Sequence, residues 1–162
     1  MKRQVTTVLT FLFFLTASPS MLGCVCEKTP SVAKAFKEAD AVFSAKFVGA
    51  EYRKGIVDGL RRVMEGREVK KTDYEVLVLK FEVERWWKGN PVNEVILITG
   101  RTRDPDSKEI IPDCEYPFAE GELYLVYAYA GESGLETSNC TRTKRLKEAH
   151  QDLKVLRKSN KA

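Results

Sequence analysis

Four cysteines and one histidine are the residues of this 162-residue chain best suited to chemistry. Cys24 and Cys26 stand one residue apart, in Cys24-Val25-Cys26, while Cys114 and Cys140 stand alone. A single histidine, His150, excludes a metal site built on several imidazoles and leaves a His-dependent triad one candidate. No convergent acid, base and nucleophile set is present, so the chain reads as a non-enzyme with no cofactor of its own. An even number of cysteines in an exported chain reads as two disulfides. A Cys24–Cys26 bond would strain its one-residue spacer. The two early cysteines are therefore expected to tie an N-terminal strand to two later points, in either of two connectivities. The competing reading is a four-cysteine zinc site, but C-x-C followed by two isolated cysteines lacks the paired C-x-x-C spacing. A redox-active C-x-C is weaker still.

Export is read from residues 1–23. Lys2 and Arg3 form a basic start, Val8 to Leu15 is an apolar run too short to span a membrane, and Thr16 to Ser20 is small and helix-breaking. These features predict a signal peptide and a secreted, extracellular or periplasmic protein. Met21-Leu22-Gly23-Cys24 also resembles a bacterial lipoprotein box. Cleavage there with lipid on the Cys24 sulfur would anchor the chain to the cell envelope and leave three cysteines, one unpaired. An ordinary peptidase could instead cut after Ser20 or after Gly23.

Composition narrows the function classes. Lys2 and Arg3 are the only charges in the first 23 residues, which leaves 25 basic against 23 acidic residues in the rest. That mild, interspersed balance argues against a nucleic-acid partner. The absence of a stretch of about 20 apolar residues argues against a membrane span. Asn139-Cys140-Thr141 formally matches a glycosylation acceptor.

The elements that must position the cysteines read mostly as strands. Ser31 to Ala39 carries a short helical stripe, and Ala41 to Val48 is strand-like. Residues 50–73 hold seven basic and five acidic residues with three glycines, and read as a long exposed loop or hairpin extension. Tyr74 to Trp87 alternates, with Leu77, Leu79, Phe81 and Val83 on one face and Lys80, Glu82 and Glu84 on the other. A turn at Lys88 to Pro91 leads to a strand at Glu94 to Thr99, then a polar loop over Arg101 to Pro112. Strands follow at Glu122 to Ala130 and Leu135 to Cys140. Leu146, Ala149, Leu153 and Leu156 predict an amphipathic helix over Thr143 to Arg157. Trp86 and Trp87 should face opposite ways. Tyr124, Tyr127 and Tyr129 read as barrel wall, and His150 as a residue of the polar helix face. Five or so strands and a terminal helix suggest a small barrel, for which the five-stranded OB-fold is the natural size match.

The opening Cys24-Val25-Cys26, followed by Ala39-Asp40-Ala41-Val42-Phe43-Ser44-Ala45-Lys46-Phe47-Val48-Gly49, resembles the start of the tissue inhibitors of metalloproteinases. Tyr74-Glu75-Val76 and Trp87-Lys88-Gly89 are similar to that family's second strand and turn, and the 26-residue step from Cys114 to Cys140 is near its spacing. The resemblance covers roughly Cys24 to Arg145, the family's N-terminal netrin-like domain. It implies a mainly β, five-stranded OB barrel over 24–145, a C-terminal amphipathic helix and tail over 146–162, and the pairing Cys24–Cys114 with Cys26–Cys140.

The resemblance also implies a monomeric inhibitor of zinc metalloproteases. The Cys24 amine and carbonyl would chelate the partner protease's zinc, Val25 would enter its S1′ pocket, and Cys26 and Glu27 would continue the contact. Pro112, Asp113, Cys114 and Glu115 would lie beside them as a second contact segment. Val25 stands where the family has Thr or Ser, and Glu27-Lys28 replaces a more apolar continuation. Phe36 is followed by Lys37, not by the cysteine of the family's third disulfide, and helical sequence over 143–157 stands in place of its cysteine-rich second domain. These features are those of a single-domain, bacterial-type relative. The alternative is a netrin-like binding module without inhibitory activity, lipid-anchored if Cys24 is acylated.

Overall fold

The computed structural model describes residues 24, 26, 28–54, 74–112 and 114–159. They form a curled antiparallel half-barrel sheet with helices on its convex side. The strands are β1 (Ala41–Lys54), β2 (Glu75–Lys88), β3 (Glu94–Arg103), β4 (Glu109–Ile110), β5 (Leu123–Ala130), β6 (Leu135–Glu136) and β7 (Lys144–Arg145). Their order across the sheet is β4-β3-β2-β1-β5-β6, with β7 also on β5. The helices are α1 (Val32–Glu38) and α2 (His150–Ser159), and a 3-10 turn at Leu146–Glu148 precedes α2. Among the described residues no helix is long and apolar enough to cross a membrane.

The long β1–β2 pair makes the curl. Its register slips between Val42 and Phe43, between Ser44 and Ala45, and between Phe47 and Gly49. Each slip inserts an unpaired residue, which bends the ribbon and adds twist. Alternate β1 residues Ala41, Phe43, Ala45 and Phe47 then share the concave face with Leu79, Phe81, Val95, Leu97, Tyr124 and Val126. Tyr116 and Phe118 enter that core from the segment before β5. Phe118 lies 4.8 to 5.7 Å, ring to ring, from Phe47, Phe81 and Tyr124. Offset aromatic pairs of this kind add about 0.5–1.5 kcal/mol each beyond area burial. They anchor the chain that carries Cys114.

The convex face is covered too. Val42, Leu125 and Tyr127 pack against Ala35 and Ala39 at α1 and Ala149 and Leu156 at α2. Ser31 starts α1, its Oγ accepting from the Lys34 amide at 3.2 Å. Lys88 Nζ donates to the α1 carbonyls of Phe36 and Lys37 at 3.1 and 2.8 Å, a cation at a helix C-terminus.

Several sequence-based boundaries need correction. β1 continues through Lys54, so residues 50–54 are strand; the rest of the expected loop, 55–73, lies outside the described residues. β3 extends to Arg103, and β4 interrupts the expected polar loop. The strand expected over Leu135 to Cys140 is only β6, two residues long. The helix expected from Thr143 starts at His150, because Lys144 and Arg145 pair with Leu125 and Tyr124.

The two tryptophans do face opposite ways. Trp86 packs on the concave core, 4.9 Å from Phe43 ring to ring, and Trp87 on the helix side. Gly89 closes β2 at φ +104°, and a Cβ there would lie 3.1 Å from the Trp86 ring and 3.3 Å from the Ala41 Cβ. Left-handed backbone costs a non-glycine residue about 1–3 kcal/mol. Gly89→Ala is therefore expected to lower stability by about 2 kcal/mol in urea unfolding.

Candidate functional site

The cysteines meet at one place on the fold. Cys24 is bonded to Cys114 and Cys26 to Cys140, with Cα atoms 5.1 and 5.2 Å apart. The two bridges touch: Cys24 Sγ lies 3.4 Å from Cys140 Sγ and 3.7 Å from Cys26 Sγ. Cys26 is exposed, and the other three cysteines are half-buried. Pro112 and Glu115 stand beside them, whereas Val25, Glu27 and Asp113 lie outside the described residues.

Backbone contacts hold the two acceptor loops together independently of the sulfurs. The Asn139 amide donates to the Cys114 carbonyl at 2.9 Å, and its Nδ2 to the Glu115 carbonyl at 2.8 Å. The Glu115 carboxylate accepts from Arg101 Nε and Nη2 at 3.0 and 2.7 Å. That bond, with the nearby Glu115 and Glu109 charges, raises the Arg101 pKa against the opposing effect of burial. The ion pair fastens the 112–115 segment to β3, and Pro112 packs where a side chain on Gly100 would otherwise sit. An open cleft of about 510 Å³ runs beneath this segment, lined by Phe47, Leu77, Leu79, Tyr116 and Phe118, with Arg101 and Glu115 among its polar walls.

A second cluster, which the sequence reading missed, locks the other end of the strap. Arg142 Nη1 donates to the Pro30 carbonyl at 2.7 Å, four residues beyond Cys26. The same guanidinium pairs with Asp152 of α2, Nε to Oδ1 at 2.9 Å and Nη2 to Oδ2 at 2.8 Å. Lys144 Nζ and the Tyr127 hydroxyl also donate to Asp152, at 3.2 and 3.1 Å. Asp152 is 1% exposed. Burial pushes its pKa up, but the hydrogen bonds and charges of Arg142 and Lys144 outweigh that and leave it lowered. Tyr127 is shifted well up, by burial first and then by Asp152. One signal for this cluster was present in the sequence. Asp152 falls on the apolar stripe of α2, three residues after Ala149 and four before Leu156, where a carboxylate requires a partner.

The remaining expected positions divide between the layers. Tyr124 faces the concave core, Tyr127 and Tyr129 face the helices, and His150 is exposed at the start of α2. Arg61-Arg62 and Lys70-Lys71, which the sequence suggests are solvated loop charges, lie outside the described residues. In chemical terms the site is a rigid, doubly bridged strap end beside an apolar cleft. Compared with known proteins, the chain matches no family model and no curated protein.

Proposed function

We propose that this chain is a secreted inhibitor of zinc metalloendopeptidases on a netrin-like OB barrel, presenting Cys24 as its mature N-terminus. The observation that carries the reading is the double staple. Cys24 and Cys26 are bonded to two loops that are themselves fastened to the sheet, so both cysteines are held before any partner arrives. Holding a segment in its bound form removes an ordering cost of about 0.5–1.5 kcal/mol for each side chain that would otherwise be immobilised on binding.

In this reading the α-amine and carbonyl oxygen of Cys24 occupy the open position that a protease's catalytic zinc keeps for water. An α-amine has an ordinary pKa of about 8, so its neutral, metal-binding form is accessible near pH 7. Val25 supplies an apolar side chain of nearly the same shape as threonine for the pocket beyond the metal. The segment Pro112 to Glu115 supplies a second edge, steadied by Arg101. The chain acts as a monomer and brings no metal of its own to the reaction.

A second reading, a lipid-anchored netrin-like binding module, is favoured by Met21-Leu22-Gly23-Cys24. Lipid on the Cys24 sulfur excludes a bond from that sulfur to Cys114, so the bridge weighs against it.

Two measurements separate the readings. The intact mass and first residue of the natively exported protein should give Cys24 with a free amine and two disulfides. That protein should inhibit members of a panel of zinc metalloendopeptidases on fluorogenic peptides. One alanine placed before Cys24 should weaken inhibition at least about 100-fold, because it displaces the chelating amine. Inhibition that survives the added alanine would overturn the chelation mechanism. A diacylglycerol on Cys24, or no inhibition by the chain that starts there, would leave the binding module.

A further inference from the structure

We propose that the thiol form of this chain holds one zinc ion on Cys24, Cys26, Cys114 and Cys140. The chain lacks paired C-x-x-C spacing, but the fold brings the two isolated cysteines onto the C-x-C. The sulfurs of Cys24, Cys26 and Cys140 all lie within 4.8 Å of one another. Across the two bridges, the Sγ separations are 3.4 Å for Cys24–Cys140, 3.7 Å for Cys24–Cys26 and 4.0 Å for Cys114–Cys140. Four thiolates at about 2.3 Å around a tetrahedral zinc have sulfur–sulfur edges of about 3.8 Å. Three of the four contacts that are not covalent bonds already bracket that edge. The two bonded pairs must move apart and the Cys114 sulfur, outside the group formed by the other three, must turn toward Cys26, from Cα atoms 5.1 and 5.2 Å apart across the bridges.

The surrounding backbone has contacts of its own besides the bridges. Asn139 holds the Cys114 and Glu115 carbonyls, and Arg142 holds Pro30. In the folded thiol form these bonds position the loops carrying the ligands, and zinc supplies the closure that the bridges give the oxidised chain. No electron transfer is involved. Zinc displaces four thiol protons to solvent, and the affinity must fall with pH as protons compete for the sulfurs. The exposed side at Cys26 gives the cation a way in. Oxidation to the two disulfides removes all four thiolates and with them the site. The same four sulfurs therefore close the same part of the fold in either compartment, by metal or by covalent bond. This inference does not rest on the inhibitory reading.

The test uses the full chain, reduced and freed of reductant under anaerobic conditions, then titrated with Co²⁺ alone and back-titrated with Zn²⁺. The expected result is one Co²⁺ per chain with the intense visible bands of a tetrahedral thiolate site, loss of those bands on adding Zn²⁺, and none in the disulfide form. Zinc should also raise the thermal midpoint of the reduced chain. Cys114→Ser and Cys140→Ser should each weaken binding at least about 100-fold, beyond what losing a mere orienting neighbour costs. A reduced chain without a tetrahedral spectrum overturns the proposal, whether or not its β signal survives. So does a spectrum indifferent to Cys140→Ser, or metal binding that leaves the thermal midpoint unmoved.

Discussion

Asp152→Ala is expected to cost about 3–5 kcal/mol, the range seen when one partner of a buried ion pair is removed. Arg142 and Lys144 have side chains only 13% and 25% exposed, and both point at this carboxylate. Without it, two cations and the fully buried Tyr127 hydroxyl lose their acceptor in low dielectric. Arg142 would keep only the Pro30 carbonyl. The loss is a large share of a typical stability of about 5–15 kcal/mol, and should lower the thermal midpoint by roughly 10–15 °C. Asp152→Asn keeps an acceptor oxygen while losing the charge. It should cost less, about 1.5–3 kcal/mol, as for a hydrogen bond to a charged group. A loss under 1 kcal/mol for the alanine variant, measured by urea unfolding, would show that solvent replaces Asp152.

The same cluster fixes a pH dependence. The Asp152 pKa is lowered in the folded state, because Arg142 and Lys144 outweigh burial. The unfolded chain, with an ordinary aspartate pKa of about 3.9, therefore binds the proton first as pH falls. The stability Asp152 contributes is fully present above about pH 5 and is lost as pH drops through 3.9 toward the folded value. Asp152→Asn lacks that contribution at every pH. The difference in stability between the two proteins should shrink steadily below about pH 4, a readout that a change in packing alone would not give.

How legible each element was follows from how it is buried. β2 was clear because Leu79 and Phe81 face the concave core while Glu82 and Glu84 face solvent, so the alternation is printed in the residue types. β1 and β5 read as strands, but not by alternation, because the helices bury their second face as well. The end of β1 was lost to its charges. Glu51, Arg53 and Lys54 look like loop, yet they sit on a strand whose ion pairs run sideways, from Lys80 Nζ to Glu51 at 2.6 Å, with the Arg103 guanidinium 4.1 Å from the Tyr52 ring. β4, β6 and β7 are two residues each, too short for any period and held by what they pair with. The stripe Leu146, Ala149, Leu153 and Leu156 was read as one helix, because a 3-10 turn running into α2 keeps those residues on one side.

The candidate site was legible in its sulfurs and hidden in its supports. Cysteine count and the targeting segment called for two long bridges, and left open which cysteine met which until the resemblance implied a pairing; the structure joins those same pairs. Arg101 reads as a loop residue and Glu115 as part of the second contact segment, and nothing local shows that 14 residues of chain fold back to join them. Arg142 is farther from view, because its acceptor at Pro30 lies 112 residues away.

Removing either bridge alone is expected to cost about 3.5 kcal/mol, and removing both about 8 kcal/mol, on the loop-entropy relation. The bridges close loops of 90 and 114 residues, and treated separately each would be worth about 4.7 kcal/mol. They are not separate. With Cys24–Cys114 formed, the ends of the second bridge are joined through two residues on one side and 26 on the other. The second bridge therefore closes a loop of about 28 residues, and so does Cys24–Cys114 when Cys26–Cys140 is already formed. Two results follow. Cys24→Ser with Cys114→Ser and Cys26→Ser with Cys140→Ser should lower the thermal midpoint by nearly equal amounts, roughly 10 °C each. The four-serine chain should lose more than the two pairs summed, enough to bring a domain of ordinary stability close to unfolding. Equal single losses with a larger joint loss in urea unfolding would show that the bridges act on the unfolded chain as one coupled staple. If one pair carried nearly all of the effect, the other would be a local brace for the strap, and the coupled-loop account would fail.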